Sequence, residues 1–293
     1  MTNPLLPHDL PGKIDVIAAS VVALSSRRCS ASGVIWQDGL VVTSASSLWR
    51  TSSPSVILPD GERVAGEVVG GDTATDLAIV RLASPGTSVL ARETRGPSRV
   101  GDFAFAVARG ASGLVQASFG FVGSVAGEWK TWRGARVERL IRLDGGLYPG
   151  FDGAPVADAE GRFIGIASSA LSRHHAVVLP VETVDRIVAQ ILAHGHVPRG
   201  YLGIAAQPVS VEWEGKDVDG LLISSVSGEG PAARGGLKVA DVILEVGSTP
   251  VGTLDHLREM LQVDQAVVVR ALRGDRLVEL TITVAQRPAR RRR

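Results

Sequence analysis

The sequence predicts a mainly β protein that ends in a small α+β domain, and three observations carry this. Short apolar runs recur from Ser32 to Val178, each bounded by Gly, Pro, Asp or Ser. Glycine is abundant at 34 residues while aromatics make up only 4%, which suits short strands and tight turns better than long packed helices. Beyond His196 the pattern changes to strands alternating with short helical segments. With 293 residues, the chain is long enough for about two domains. The expected division is residues 1–196, residues 197–287 and a basic tail, 288–293.

Asp38-Gly39 between Gly33–Trp36 and Leu40–Thr43 signals a hairpin, as does Pro59-Asp60-Gly61-Glu62 between the runs at Ser55 and Val64. Further strands are expected at 77–80, 103–108, 119–125, 137–143 and 163–167. After Pro180, Val184, Ile187, Val188, Ile191 and Leu192 recur at helical spacing until Gly195 ends the pattern. Residues 196–200 read as a linker. The second domain then runs strand 220–226, a Pro-initiated helix 231–234, strand 241–246, helix 253–262 and strands 266–272 and 276–284.

The net charge of +1 gives no global field for nucleic acid, and no specific nucleic-acid partner is expected. The local exception is the tail, Arg287 with Arg290, Arg291, Arg292 and Arg293, which reads as a solvated end with anionic surfaces as its candidate partner. The lone Cys29 excludes an intrachain disulfide and a Cys-rich metal site. Residues 1–13 lack the charged start and apolar core of a secretory signal, and Ile14–Leu24 is too short to span a bilayer. The expectation from these features is a cytoplasmic protein. His174-His175 and His194-Gly195-His196 are weak metal signals, since a site needs three or four convergent ligands. Neither a metal nor a cofactor is implied.

Three stretches carry a resemblance. Leu40–Leu48, containing Ser46, is similar to the strand and turn that present the base in trypsin-like proteases. Asp72–Val80, containing Asp76, resembles the segment of the acid that orients the base. Asp144–Val156, containing Asp152, resembles the nucleophile loop of the bacterial HtrA (Deg) proteases. Ser46, Asp76 and Asp152 follow in the family's order, at intervals of roughly 30 and then roughly 75 residues. Past Ile164-Gly165-Ile166 and Arg199–Ile204 the likeness continues into a PDZ-like segment with Gly230-Pro231-Ala232-Ala233 and Asp241–Leu244. The resemblance implies a trypsin-like double six-stranded β-barrel followed by a PDZ-like domain.

Its departures shape the functional expectation. Ser46 stands at the base position, and a hydroxyl cannot take a nucleophile's proton near neutrality. Asp152 stands at the nucleophile position, where its charge opposes a developing oxyanion. Asp76 remains as an acid with no imidazole to orient. The expected protein is therefore a non-enzyme: an inactive HtrA-like homologue acting as an adaptor or regulator. The competing expectation is a serine endopeptidase with residual or displaced chemistry. Replacing an imidazole by Ser46 should also leave a small polar void between Asp76 and Asp152, holding water or a cation.

The resemblance makes Tyr201-Leu202-Gly203-Ile204 the loop whose amides hold a peptide C-terminal carboxylate, with the following edge strand accepting the peptide as an added strand. Leu257, Met260 and Leu261 are candidates for the pocket under the terminal side chain, although at helical spacing at least one belongs to the core. The expected partners are peptides or protein C-termini, with assembly alongside itself or other HtrA-like subunits.

Overall fold

The computed structural model describes residues 9–25, 30–48, 51–83, 88–92, 96–145, 147–172 and 175–286. His8, Cys29, His174 and the basic tail lie outside the described residues. The chain divides into two compact units between Val197 and Pro198.

The first unit contains two closed six-stranded barrels. Strands Val21–Ser25, Ser30–Gln37, Leu40–Ser44, Leu77–Leu82, Arg63–Asp72 and Ser55–Ile57 close the first, every pairing antiparallel. Strands Leu140–Leu143, Val177–Pro180, Phe163–Ser168, Pro155–Asp158, Phe103–Arg109 and Val115–Ala126 close the second. Closure removes the exposed strand edges that so many short strands would otherwise present. The predicted mainly β, double-barrel class is therefore what forms.

Apolar side chains from several elements meet in the main core, where Trp36, Ile79, Phe105, Ile166 and Leu179 are almost wholly withdrawn from water. The helix Val181–His194 adds Val184, Ile187, Val188 and Ile191 of the residues whose spacing predicts it, while Leu192 stays exposed. Gly195 follows as the C-cap, and its amide donates to the Ile191 carbonyl at 2.7 Å.

The stretch expected as a single apolar run, Ile14–Leu24, is two elements. A helix Leu10–Ala18 opens on Asp9, whose carboxylate accepts from the Gly12 amide, and a barrel strand starts at Val21. Arg109 fastens this junction. Its guanidinium donates to the carbonyls of Val21 (2.7 Å), Ala18 (2.8 Å) and Gly113 (2.8 Å), although burial pulls its pKa below the ordinary arginine value. Three carbonyls pointing at one guanidinium offset that cost.

The second unit is a sheet in the order Ile204–Trp213, Lys216–Val226, Val242–Val246, Ala266–Arg273, Arg276–Thr283, with helices Pro231–Arg234 and Leu254–Met260. The local pattern predicts a strand at 220–226 and the resemblance an edge strand after the Tyr201–Ile204 loop; the structure pairs the two as one hairpin from Ile204 to Val226. Its first strand alternates at its far end, with Val209, Val211 and Trp213 partly buried and Ser210 and Glu212 exposed. Asp241, almost wholly buried, is matched by a two-point fork from Arg273 at 2.9 and 2.8 Å. Arg273 and the Lys238 amide hold the Asp241 carboxyl below its ordinary pKa against the opposing effect of burial, which is the largest single influence on it.

Candidate functional site in the barrel cleft and the second-unit loop

The acid corner is built by register. Ser44 pairs with Leu77 at the end of the Leu40–Ser44 strand, which brings the turn carrying Ser46 against Asp76. Upstream, the Asp72 carboxylate accepts from the Ala74 and Thr75 amides and the Thr75 hydroxyl, and so folds the turn that delivers Asp76. Asp76 itself adopts φ 58°, and its carbonyl accepts from the Ala45 amide at 2.9 Å.

The Asp76 carboxylate is only 3% exposed. Its Oδ1 accepts from the Ser46 amide at 2.8 Å, and its Oδ2 from the hydroxyls of Ser44 (2.9 Å) and Ser168 (2.7 Å). Ser168 ends a strand of the second barrel, so this carboxylate joins the two barrels. Burial raises the Asp76 pKa above its ordinary value, and the donors from Ser168, Ser46 and Ser44 oppose that rise. Ser46 is exposed, and its hydroxyl lies 2.8 Å from that of Ser44.

The nucleophile loop is held by its backbone. The Ser32 hydroxyl donates to the Gly150 carbonyl at 2.8 Å, the Ser32 amide to the Asp152 carbonyl at 3.1 Å, and the Gly153 amide to the Ala167 carbonyl at 2.9 Å. Gly153 has φ +81°, and a Cβ there would stand 2.3 Å from the Ser32 carbonyl oxygen, so only glycine fits. Phe151 is 2% exposed and Ala154 is fully buried, both within the second barrel's core. Asp152 is half-buried, and its carboxylate accepts from the Ser169 amide (2.6 Å) and hydroxyl (2.9 Å).

The void expected between the two carboxylates takes a different position. A cavity of about 110 Å3 is lined by Ser46, Thr73, Asp76, Arg133 and Ala170. Asp152 is absent from that lining because its carboxylate is turned to Ser169. Arg133 donates to the Thr73 carbonyl at 2.9 Å and lies 4.3 Å over the Trp132 ring, while the Trp132 indole donates to the Ala170 carbonyl. The sequence reading missed Ser44, Ser168, Ser169 and Arg133, whose roles arise from chain crossings that no local pattern announces. Among the described residues no group of three or more His, Cys, Asp or Glu could hold a metal ion.

In the second unit, Gly200–Tyr201 pairs with Ala285–Gln286. The Leu202 carbonyl accepts from the Ala232 amide (2.8 Å) and the Gly203 carbonyl from the Ser227 amide (2.7 Å). Gly203 has φ +81°, with the Gly230 Cα only 3.1 Å from where a Cβ would stand. Leu202, Leu257 and Leu261 are core residues of this unit, while Ile204 and Met260 are partly buried against that core. The helix Leu254–Met260 packs on the strand Ile204–Trp213. Of the proposed pocket residues, Met260 is thus the one that keeps partial exposure.

Comparison with known proteins adds what the chain is similar to. Residues 31–166 match the trypsin-like peptidase domain and residues 222–273 the PDZ domain. A Chlamydia pneumoniae protein named "Probable periplasmic serine endoprotease DegP-like" is 29% identical over 264 residues, covering 86% of this chain and 54% of that protein. A Brucella suis protein of the same name is 28% identical, covering 87% and 52%. The chain spans about half the length of these curated relatives. The crystal structure of the Yersinia pestis serine endoprotease superposes with a TM-score of 0.76 at 21% identity, covering 97% of this chain and all of that one. The HtrA-type protease AlgW, solved with a decapeptide, gives 0.73 at 22% identity, covering 96% and 99%.

Two expectations are corrected by these findings. The non-enzyme expectation fails because the relatives are named serine endoproteases, which points to an enzyme. It rested chiefly on Ser46 and Asp152, with Asp76 left no imidazole to orient. The cytoplasmic expectation fails because the relatives are named periplasmic. Among the described residues no helix is long and apolar enough to cross a membrane. By sequence likeness and fold together, the chain is similar to the HtrA/DegP-type trypsin-like serine proteases that carry a PDZ domain.

Proposed function

We propose that this chain is an extracytoplasmic HtrA-type protein of the serine endopeptidase class that captures peptides or protein C-termini through its PDZ domain. The observation that carries the reading is the open edge beside the Tyr201–Ile204 loop. Strand Ile204–Trp213 pairs on one side with Lys216–Val226 and stands at the end of the sheet order. An extended peptide can add there as a further strand, its carboxylate at the Leu202–Ile204 amides and its last side chain against Ile204 and Met260.

The peptidase side of the proposal is residual or displaced chemistry. Ser46 offers no base, and Asp152 is committed to Ser169, so hydrolysis by the usual hydroxyl and imidazole pair has no reacting groups at these two positions. Peptide capture then guides or regulates processing, by this chain or by HtrA-like subunits assembled with it.

The test uses the full chain with a fluorescent peptide library, each member offered with a free or an amidated C-terminus. Binding lost on amidation supports the reading, while equal binding of both forms sinks the carboxylate loop. In parallel, casein hydrolysis by the unaltered chain is compared with the Ser46→His/Asp152→Ser double variant. Slow cleavage by the unaltered chain, raised in the double variant, is the expected result; none by either form removes the peptidase part.

A further inference from the structure

The edge strand Ile204–Trp213 carries an exposed proline near its middle, Pro208, which has no backbone N–H to give. The direction in which each residue of this strand points its backbone follows from its two ends. At the far end, Trp213 and Lys216 pair across a two-residue turn, with Glu214 at φ 52° and Gly215 at φ 73°. A turn of that type aims the backbone groups of its flanking residues at each other, so Trp213 faces the partner strand. At the near end, the Ala205 carbonyl accepts from the Ser224 hydroxyl at 3.1 Å and the Gly203 carbonyl from the Ser227 amide at 2.7 Å, both on the partner-strand side.

The two ends agree. Backbone direction alternates along an antiparallel strand, so the odd-numbered residues from Ala205 to Trp213 face Lys216–Val226 and the even-numbered ones from Ile204 to Glu212 face outward. The extra residue at the register shift, Ser224, belongs to the partner strand and leaves this alternation unbroken. Pro208 therefore takes no donor from the sheet itself. It takes one from the open edge.

The consequence falls on an added strand. With a peptide carboxylate at the Leu202–Ile204 amides, the capture reading above on which this inference rests, the last peptide residue pairs with Ile204. Hydrogen-bonded pairs recur at every second residue, so the third residue from the end meets Ala206 and the fifth meets Pro208. Ala206 offers an amide and a carbonyl. Pro208 offers a carbonyl alone, and its ring stands where an approaching peptide carbonyl needs a donor.

We propose that this site reads a short chain end: the peptide pairs with the edge at Ile204 and Ala206 and leaves it at Pro208, so that recognition ends with the fourth residue from the carboxylate. The same proline keeps the edge from accepting a long strand. The partner is then a protein whose last few residues project freely, whether or not the rest of it is unfolded.

The experiment takes the tightest free-carboxylate member of the peptide library described above, with an acyl-linked dye at its N-terminus. It is trimmed from that end, from eight residues to three, and its binding to the full chain is followed by fluorescence anisotropy. For the parent chain, affinity should stay level within about twofold from eight residues down to four, because no backbone pair is lost. In Pro208→Ala, an exposed change that leaves the sheet's own donors in place, peptides of five residues or more should bind about three- to tenfold more tightly than the four-residue peptide. Methylating single peptide nitrogens separates pairing from side-chain contacts. At the third residue from the end, the methyl should cost about tenfold in both proteins; at the fifth, it should weaken binding only to Pro208→Ala. A parent affinity that keeps rising beyond four residues, a methyl at the fifth that weakens binding to the parent, or a Pro208→Ala chain that matches the parent at every length overturns the short reading and leaves peptide capture standing. Amidation that weakens none of the peptides overturns the capture reading and the short reading with it.

Discussion

Asp76 and Asp152 are held by adjacent residues, Ser168 and Ser169, yet the chain around each is organised in opposite ways. At Asp76 the side chain holds the structure: a buried carboxylate gathers an amide and two hydroxyls, one of them from the other barrel. At Asp152 the backbone holds the structure. The loop is pinned by carbonyl and amide contacts from Ser32 and Ala167 and by the close approach at Gly153, while the carboxylate rests on Ser169 near solvent. The acid corner should therefore be sensitive to what residue 76 carries, and the loop to what residue 153 carries.

The largest expected effect is in the loop. Gly153→Ala places a methyl group against the Ser32 carbonyl and requires a left-handed backbone from alanine, and should cost about 3 kcal/mol of stability. The change in the urea midpoint reads this directly. A cost near zero would show that the loop is not fixed by its backbone.

Next comes Asp76→Ala, expected to lose about 2 kcal/mol, because the almost wholly buried hydroxyls of Ser44 and Ser168 lose their acceptor. Asp152→Ala should cost under about 0.5 kcal/mol, since water can satisfy the donors of exposed Ser169. Equal costs at Asp76 and Asp152 would break the comparison.

A pH series sharpens it. The Asp76 pKa is raised above its ordinary value near 3.8, chiefly by burial. Between that value and the folded-state pKa the native protein holds more protons than the unfolded chain. The contribution of Asp76 to stability is thus greatest below the unfolded value and declines as pH rises through the folded one. Asp76→Asn should flatten this part of the profile, measured as stability of the variant against the parent from acid towards neutral pH. Asp241, with its pKa held low by Arg273 and the Lys238 amide, gives the opposite slope, contributing stability at neutral pH that is lost on acidification. The two slopes are separable by Asp241→Asn.

A separate expected effect concerns the second unit. Gly203→Ala leaves the sheet formed but strains the φ +81° loop, with its Cβ 3.1 Å from the Gly230 Cα. Affinity for a C-terminal peptide should fall by about tenfold, while thermal stability drops by roughly 1 kcal/mol. An unchanged affinity would move the carboxylate contact away from this loop.

Much of this architecture is legible in the residues themselves. Turn pairs such as Asp38-Gly39 and the helical spacing from Val184 to Ile191 are local signals that follow from backbone sterics and burial, and the elements form where these signals place them. Motif order identifies Ser46, Asp76 and Asp152 as neighbours-to-be. The helix Leu10–Ala18 escapes that reading because it shares an apolar run with a barrel strand, and the strand Ile204–Trp213 is expected only from the resemblance, although Val209, Val211 and Trp213 alternate with polar residues in it.

The sequence by itself determined a mainly β chain that ends in a small α+β domain, because periodicity and turn chemistry are written locally, while the two barrels and the PDZ-like domain followed from its resemblance to a known family. Only the tertiary structure decided what its residues touch. The closing of each barrel brings Ser168 to Asp76 and Ser169 to Asp152 across long stretches of chain, and it turns one carboxylate into a cavity wall and the other away from it. Contacts of that kind depend on strand register and crossing, which no short segment contains.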